Sequence, residues 1–197
     1  NCHVDGNAYD SLNIDNYGGA LQAVQHLLAH GHRRVAIIKG TENNLDAHER
    51  LSGYRAALVS AGVPHDPHLE LPGDFSEASG VEAVRRMLAI DDRPTALFAS
   101  NDSMAIGALS ALRDAGLRIP DDVALVGFDD VPVASYLTPA LTSVHVGIDR
   151  LGVLAIHVLL DALARRGTHE TKQTILPTTL SIRESCGCAA VPHPTPV

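Results

Sequence analysis

Two apolar runs of the chain stop on side chains whose chemistry is hydrogen bonding. Residues 95–99 give way to Ser100-Asn101-Asp102, and residues 123–128 give way to Asp129-Asp130. Parallel strands of an open α/β sheet are buried along their length and open their carboxyl ends onto a shared crevice. Polar residues gathered at such strand ends predict a ligand pocket.

Bond-making chemistry finds less support. Asp129-Asp130 suggests a metal-binding or phosphoryl-transfer pair, but adjacent residues at a strand end point in different directions and do not by themselves converge on one ion. The chain has no GxSxG, no nucleophile with an evident base, no GxGxxG and no GxxxxGK[ST]. No catalytic residue and no cofactor are expected. His26, His30 and His32 form an HxxxHxH cluster that looks metal-like, yet histidines near a helix carboxyl end are electrostatically favourable without a metal. Cys186-Gly187-Cys188 would need two further ligands to hold zinc, and only His193 is near in sequence. Both metal readings are set aside, and the three cysteines, Cys2 being terminal, are read as reduced thiols.

The elements that position these residues follow from periodicity. Asp15 or Asn16 caps a helix carrying Leu21, Val24, Leu27 and Leu28, which Gly31 ends. A strand at 34–39, a polar loop at 40–46 and a helix near 47–61 follow, the helix bearing Leu51, Tyr54 and Leu58 and stopping at Gly62. After a weak strand at 69–71, Ser76 caps a third helix with Val81, Val84, Met87 and Leu88. The strand at 95–99, a helix at 103–115 stopped by Gly116, and the strand at 123–128 complete an alternation that predicts a parallel sheet with helices on both faces. Beyond Asp130 the pattern breaks: 131–140 reads as loop, 142–146 as strand, 150–165 as helix and 173–182 as one final strand.

With 197 residues and 45% hydrophobic content the chain can bury a sizeable core. Its 15 Lys and Arg against 23 Asp and Glu give a formal charge of -8, the wrong sign for holding a phosphate backbone. No apolar stretch approaches the roughly 20 residues of a membrane span, and the opening residues lack a signal-peptide layout, so a cytoplasmic chain with no membrane partner is expected.

Taken together, DNYGGALQAVQHLLAHGHRRVAIIKG, HERLSGYRAAL, ALFASNDSMAIGALSALRDAGLRIPDDVALVGFDD, YLTPALTSV and LPTTLSIRES resemble the effector-binding core of the lactose/galactose repressor (LacI-type) family of bacterial transcription regulators. Five such segments in order and at matching separations make a specific signal. The resemblance implies a type I periplasmic-binding-protein-like α/β fold, with two lobes joined by three crossovers and the ligand between them. It implies one complete doubly wound carboxyl-terminal lobe from 15–145, whose final strand lies in 168–185. It also implies remnants of the amino-terminal lobe at 1–14 and 146–167, and a disordered tail at 186–197. A DNA-reading helix-turn-helix and most of one lobe are missing on this reading, so operator DNA is reached only through the missing part. Helix 150–165 is then expected to expose an apolar face.

The resemblance also assigns binding roles. Arg50 of HERLSGY resembles the arginine that holds a sugar hydroxyl pair or a carboxylate, a task suited to its fork of donors. Asn101 resembles the ligand-binding asparagine and Asp129 the aspartate that accepts from ligand hydroxyls. An amide offers donor and acceptor together and a carboxylate only accepts, so the pair reads polyol patterns. Helix capping is the local alternative, and Asp102 is assigned that role in preference to Asn101. Phe75 falls where the family stacks an aromatic on the ligand, with core packing as its alternative. Asp46 lines the pocket or caps a helix, and Asp5 contributes from the opposite side of the cleft. Val146 departs from the polar residue that several sugar-binding relatives carry. The helix 103–115, through Met104, Ala108 and Leu112, and the segment 131–137 resemble dimerisation regions, which implies a homodimer. The implied partner is a small-molecule effector, a sugar or related compound. The alternatives are a sugar-binding component of a transport system and, more remotely, a phosphoryl-transfer enzyme.

Overall fold

The computed structural model describes residues 10–164 and 171–188; Asp5 and the tail from 189 lie outside the described residues. The central sheet has the strand order β3-β2-β4-β5-β6-β8, built from β2 (Val35–Ile38), β3 (Glu70–Leu71), β4 (Ala96–Ala99), β5 (Ala124–Asp129), β6 (Thr142–His145) and β8 (Thr179–Ser181). All neighbours are parallel except β8, which runs antiparallel to β6. The strands are short, continuous apolar runs because both faces are covered. Side chains alternate between two cores: Val35, Ile37, Phe98, Val126 and Phe128 face one, while Ala36, Ile38, Leu97 and Leu125 face the other.

Helices α1 (Asn16–Ala29) and α2 (Leu45–Ser60) close the first core, and α3 (Glu77–Leu88) and α4 (Asp102–Asp114) close the second. Asp15 caps α1 by accepting from Gly18 N, and Ser76 caps α3 by accepting from Ser79 N. Gly31, Gly62 and Gly116 follow their helices at positive φ, as expected of helix stops. Helix α2 starts earlier than periodicity suggests, because Asn44 accepts from Ala47 N and makes the cap; Asp46 therefore sits in the first turn instead of capping.

Met104, Ala108 and Leu112 are fully buried in the second core, so their stripe packs inside the chain and is corrected as a dimer surface. A Cβ on Gly80 would lie 2.1 Å from Met104 O, and one on Gly107 would lie 2.0 Å from Glu77 O; glycine at both places lets α3 and α4 approach to backbone contact.

The predicted strand 173–182 is two strands. Pro177, which has no N–H to give a ladder, separates β7 (Gln173–Leu176) from β8. Strand β7 leaves the main sheet and pairs in parallel with β1 (Ser11–Ile14) in a separate two-stranded ribbon. Residues 186–188, assigned from sequence to the tail, instead form the end of a turn, with Cys186 buried as a small apolar group in the first core. Helix α5 (Ile148–Ala164) has no buried residue, and Val153, Ile156, Leu159, Leu160 and Leu163 are all exposed. No helix of the described residues is long and apolar enough to cross a membrane.

Candidate functional site

The strand order places β2 beside β4, while the chain leaves β2 toward β3 on the other side; at that switch the carboxyl ends of β2, β4 and β5 open together. Arg50, on the first turns of α2, reaches into this opening and is buried to 6% exposure. Its Nε donates to Asn16 Oδ1 at 2.8 Å, and its Nη1 donates to the carbonyl of Ser100 at the end of β4. The guanidinium carbon stands 3.8 Å from the centroid of the Phe128 ring, a cation–π arrangement in a dry setting. Nη2 faces Asp129 Oδ1 at 3.7 Å.

Asp46 joins this group through Asn16, whose Nδ2 donates to Asp46 Oδ1 at 3.0 Å. The fold therefore brings Arg50, Asp129 and Asp46 together, with the amide of Asn16 between two of them. Burial lowers the guanidinium of Arg50 from its usual range, an effect that Asp129 and Asp46 oppose. Burial also raises the carboxyl of Asp129, with Arg50 pulling it down and Asp46 pushing it further up. Both partners thus lose more from desolvation than they recover from each other at 3.7 Å.

A cavity of about 400 Å³ opens over this pair. Apolar Leu12, Ile14, Val146 and Leu151 form much of its wall, with Arg50 and Asp129 as polar anchors. That is the size and composition of a small-molecule site, in which a few placed polar groups orient a ligand against apolar walls. Val146, the residue that departs from the polar pattern, is part of the wall.

The cap of α4 is Asn101 and not Asp102, to which sequence reading assigned it. Asn101 caps α4: its Oδ1 accepts from Met104 N at 2.9 Å, and its Nδ2 donates to Phe75 O at 3.0 Å. Asp102 is fully buried and does not cap; its Oδ1 accepts from Ser143 Oγ at 2.6 Å and its Oδ2 from Val131 N at 2.9 Å. The physical reason is geometric: a cap must precede the first helical residue, and α4 begins at Asp102. Desolvation pushes the Asp102 carboxyl up to about 7 despite its two hydrogen bonds. The backbone of Gly127 lies against it, where a Cβ would fall 2.1 Å from Asp102 Oδ1. Asp102 thereby holds the turn after β5 that presents Asp129.

Phe75 has a φ of 70°, unusual for a bulky residue, and its carbonyl is the acceptor that Asn101 holds. Its half-buried ring packs on the second core and against Gly40, where a Cβ would stand 2.1 Å from the ring. Neither Phe75 nor Asn101 borders the cavity over Arg50 and Asp129, although Asn101 is joined to it through the neighbouring Ser100 carbonyl.

The two aspartates after β5 diverge, as the spacing argument expects. Asp129 faces Arg50, whereas Asp130 is paired with Arg183 at 2.7 Å and accepts from Ser181 Oγ at 2.8 Å. Sequence reasoning missed the site roles of Asn16, Ser100 and Phe128. Only the DNYGG segment carried a hint of the first, because a buried asparagine just inside a helix start is out of place unless it has partners.

Known proteins resemble this chain in sequence and fold. A family model described as a periplasmic binding protein-like domain matches residues 24–186. The chain is 42% identical over 174 residues to the HTH-type transcriptional regulator CelR of Thermobifida fusca, covering 88% of this chain and 51% of that protein. It is 41% identical over 160 residues to the ribose operon repressor of Escherichia coli K12, covering 81% and 48%. Among solved structures, the complex of the transcriptional regulator CelR with cellobiose superposes with a TM-score of 0.87 at 41% identity, covering 92% of this chain and 55% of that one. The chain spans about half the length of the curated relatives it matches.

Proposed function

The chain belongs to the LacI-type regulator family through its periplasmic binding protein-like domain, and from that premise we propose that it is an effector-sensing module whose ligand is a sugar or a related polyol. The observation that carries this reading is the loose, desolvated pair of Arg50 and Asp129 beneath a cavity of about 400 Å³. A ligand hydroxyl between them would accept from the guanidinium and donate to the carboxylate, completing both. Asp46 holds Asn16, and through it Arg50, in place. Phe75 and Asn101 make the neighbouring edge of the ligand site on this reading, and Asp5 is the contact from the facing side.

Effector binding of this kind acts by favouring one arrangement of two lobes over another. With a net charge of -8, these residues are suited to the effector and not to DNA, so operator contact belongs to a part of the regulator that they do not supply. Dimerisation through 131–137 is supported by the exposed Val133 and Tyr136, at 45% and 83%. The cytoplasm is the compartment this role requires. The regulators among the relatives favour this reading over a transport component.

Calorimetric titration with cellobiose, ribose and a panel of hexoses and pentoses tests the proposal. Saturable heat with one sugar, lost in Asp129→Asn at an unchanged melting midpoint, is the expected result. Equal binding by Asp129→Asn, or no response to any sugar in the panel, would overturn it.

A further inference from the structure

Two motifs that lack partners in sequence meet in the fold. His26, in the last turn of α1, and His30, its C-cap, stand at i and i+4, so both rings leave the same side near the helix carboxyl end, with centroids 4.4 Å apart. His32 is not part of this pair; its Nδ1 is 2.8 Å from Thr95 Oγ1. The turn at 184–188 is held against that face from the sheet side. Leu125 N donates to Ser185 O at 2.8 Å, Ser185 N donates to Ala140 O at 3.0 Å, and Gly187, at a φ of 87°, reverses the chain between the two cysteines.

Cys188 Sγ consequently stands 3.4 Å from His26 Nε2 and 3.1 Å from His30 Nε2, and the three atoms lie within 4.8 Å of one another. Cys186, on the same turn, is turned into the first core and its Sγ donates to Arg183 O at 3.4 Å, so Cys188 is the thiol that meets the two imidazoles. His30 Nδ1 is 2.8 Å from His26 O. A carbonyl only accepts, so Nδ1 carries the proton and the lone pair of Nε2 faces the sulfur. That is the tautomer and the backbone anchor of a metal-bound imidazole.

We propose that His26, His30 and Cys188 supply three ligands to one thiophilic transition-metal ion of the Zn²⁺ class. Tetrahedral zinc, with bonds of about 2.0–2.1 Å to nitrogen and 2.3 Å to sulfur, sets its ligand atoms roughly 3.3–3.8 Å apart. The observed spacings need only small adjustments to reach that geometry. Two imidazole nitrogens and a thiolate exclude magnesium and calcium, which require oxygen donors. Binding releases the Cys188 thiol proton to solvent and leaves one thiolate and two neutral imidazoles around the dication. Three protein ligands leave the fourth tetrahedral position to a solvent water, and the ion acts as a clamp between the two elements. It ties the helix at the start of the main fold to a turn 158 residues away at Cys188. This inference is independent of the effector reading.

The test uses the whole 197-residue chain, reduced and stripped of metal with a chelator, then titrated with Co²⁺ and afterwards with Zn²⁺. Expected are one equivalent of Co²⁺ with thiolate-to-cobalt charge-transfer and tetrahedral ligand-field bands, displacement by Zn²⁺, and a rise in melting midpoint with Zn²⁺. His30→Ala removes an exposed ligand, and Cys188→Ser a half-buried one, so both should fold. Each should weaken affinity at least about ten-fold, as loss of a metal-orienting group does, while the metal-free melting midpoint stays at the wild-type value. Cys2→Ser should leave binding unchanged. A reduced chain that takes up no Co²⁺, or one whose charge-transfer band and affinity survive in Cys188→Ser, would overturn the proposal.

Discussion

Arg50 Nη2 and Asp129 Oδ1 stand 3.7 Å apart, nearly 1 Å beyond the roughly 2.7–2.9 Å of a charge-assisted hydrogen bond. The same arginine is otherwise tightly held, by Asn16, by the Ser100 carbonyl and by the face of Phe128. The arginine is therefore fixed by the protein, while its pairing with the aspartate is left open. An opening of this kind between two desolvated charges is what a hydroxyl-bearing ligand can close.

Arg50 should accordingly matter for folding as well as for binding. Arg50→Ala leaves Asn16 Oδ1 and the Ser100 carbonyl without their donor in a buried setting, and removes the cation from Phe128. A loss of roughly 2–4 kcal/mol is expected from unsatisfied acceptors and a broken buried pair. Arg50→Lys should recover only part of it, because one ammonium cannot span three directions. Urea denaturation measures both, and a variant as stable as wild type would contradict the network.

Asp102 makes stability depend on pH. Its carboxyl is raised from 3.8 to about 7 in the fold, chiefly by desolvation, so between these values the folded chain holds a proton that the unfolded chain has lost. Stability from this group is therefore complete at low pH and declines as pH rises from about 4 to about 7, after which the decline stops. Asp102→Asn should flatten that window while the rest of the profile keeps its shape. Denaturation midpoints at a series of pH values from 4 to 8 are the measurement, and an unchanged slope in the variant would refute the assignment.

The same carboxylate explains Gly127. A methyl at this position would sit 2.1 Å from Asp102 Oδ1, which two hydrogen bonds hold in place. Gly127→Ala should cost about 1–3 kcal/mol, the usual range for overpacking. In combination with Asp102→Ala the penalty should shrink, since the obstructing atoms are gone; additive losses in a double-mutant cycle would argue against the contact.

The alternating strands and helices were legible because the central strands β2, β4 and β5 are short apolar runs, Ser76 caps α3, and α1, α2 and α4 stop at glycines. Ser76, Gly31, Gly62 and Gly116 act within a few residues of where they stand. That Asn101 and not Asp102 caps α4 was not legible, because two adjacent polar residues at a helix start differ only in which one precedes the first helical turn. The split at Pro177 was missed because apolar content on both sides concealed that the two halves pair with different sheets. Arg50 and Asp129 came from resemblance, and their partners Asn16, Ser100 and Phe128 arise from tertiary contacts that no periodicity encodes. The meeting of His26 and His30 with Cys188 was not legible for the same reason, since only the fold brings the two segments together.

Asn101 offers a separable prediction. Its carbonyl caps α4 and its amide nitrogen holds Phe75 in a left-handed conformation. Asn101→Ala should lose about 1 kcal/mol, as cap removal does. Asn101→Asp keeps an acceptor at the helix start but cannot donate to Phe75 O, so it should restore much of the stability while loosening the loop at 73–76. Thermal denaturation reads the first effect and amide exchange at Phe75 and Ser76 the second. Equal exchange in wild type and Asn101→Asp would mean that the amide does not hold the loop.

Helix α5 presents the largest run of apolar side chains open to solvent among the described residues. Ile156 is 59% exposed, Leu160 57% and Leu163 66%, yet no residue of the helix is buried. Contiguous apolar surface of this kind binds apolar dyes or drives association. The chain in dilute solution should therefore enhance the fluorescence of an apolar dye or sediment above monomer mass. Ile156→Lys combined with Leu163→Glu should suppress either behaviour. Because neither side chain packs on the core, the unfolding free energy should change by no more than about 0.5 kcal/mol, the range for surface substitutions. A monomer that ignores the dye, or a double variant that loses several kcal/mol, would show that this face is covered within the chain.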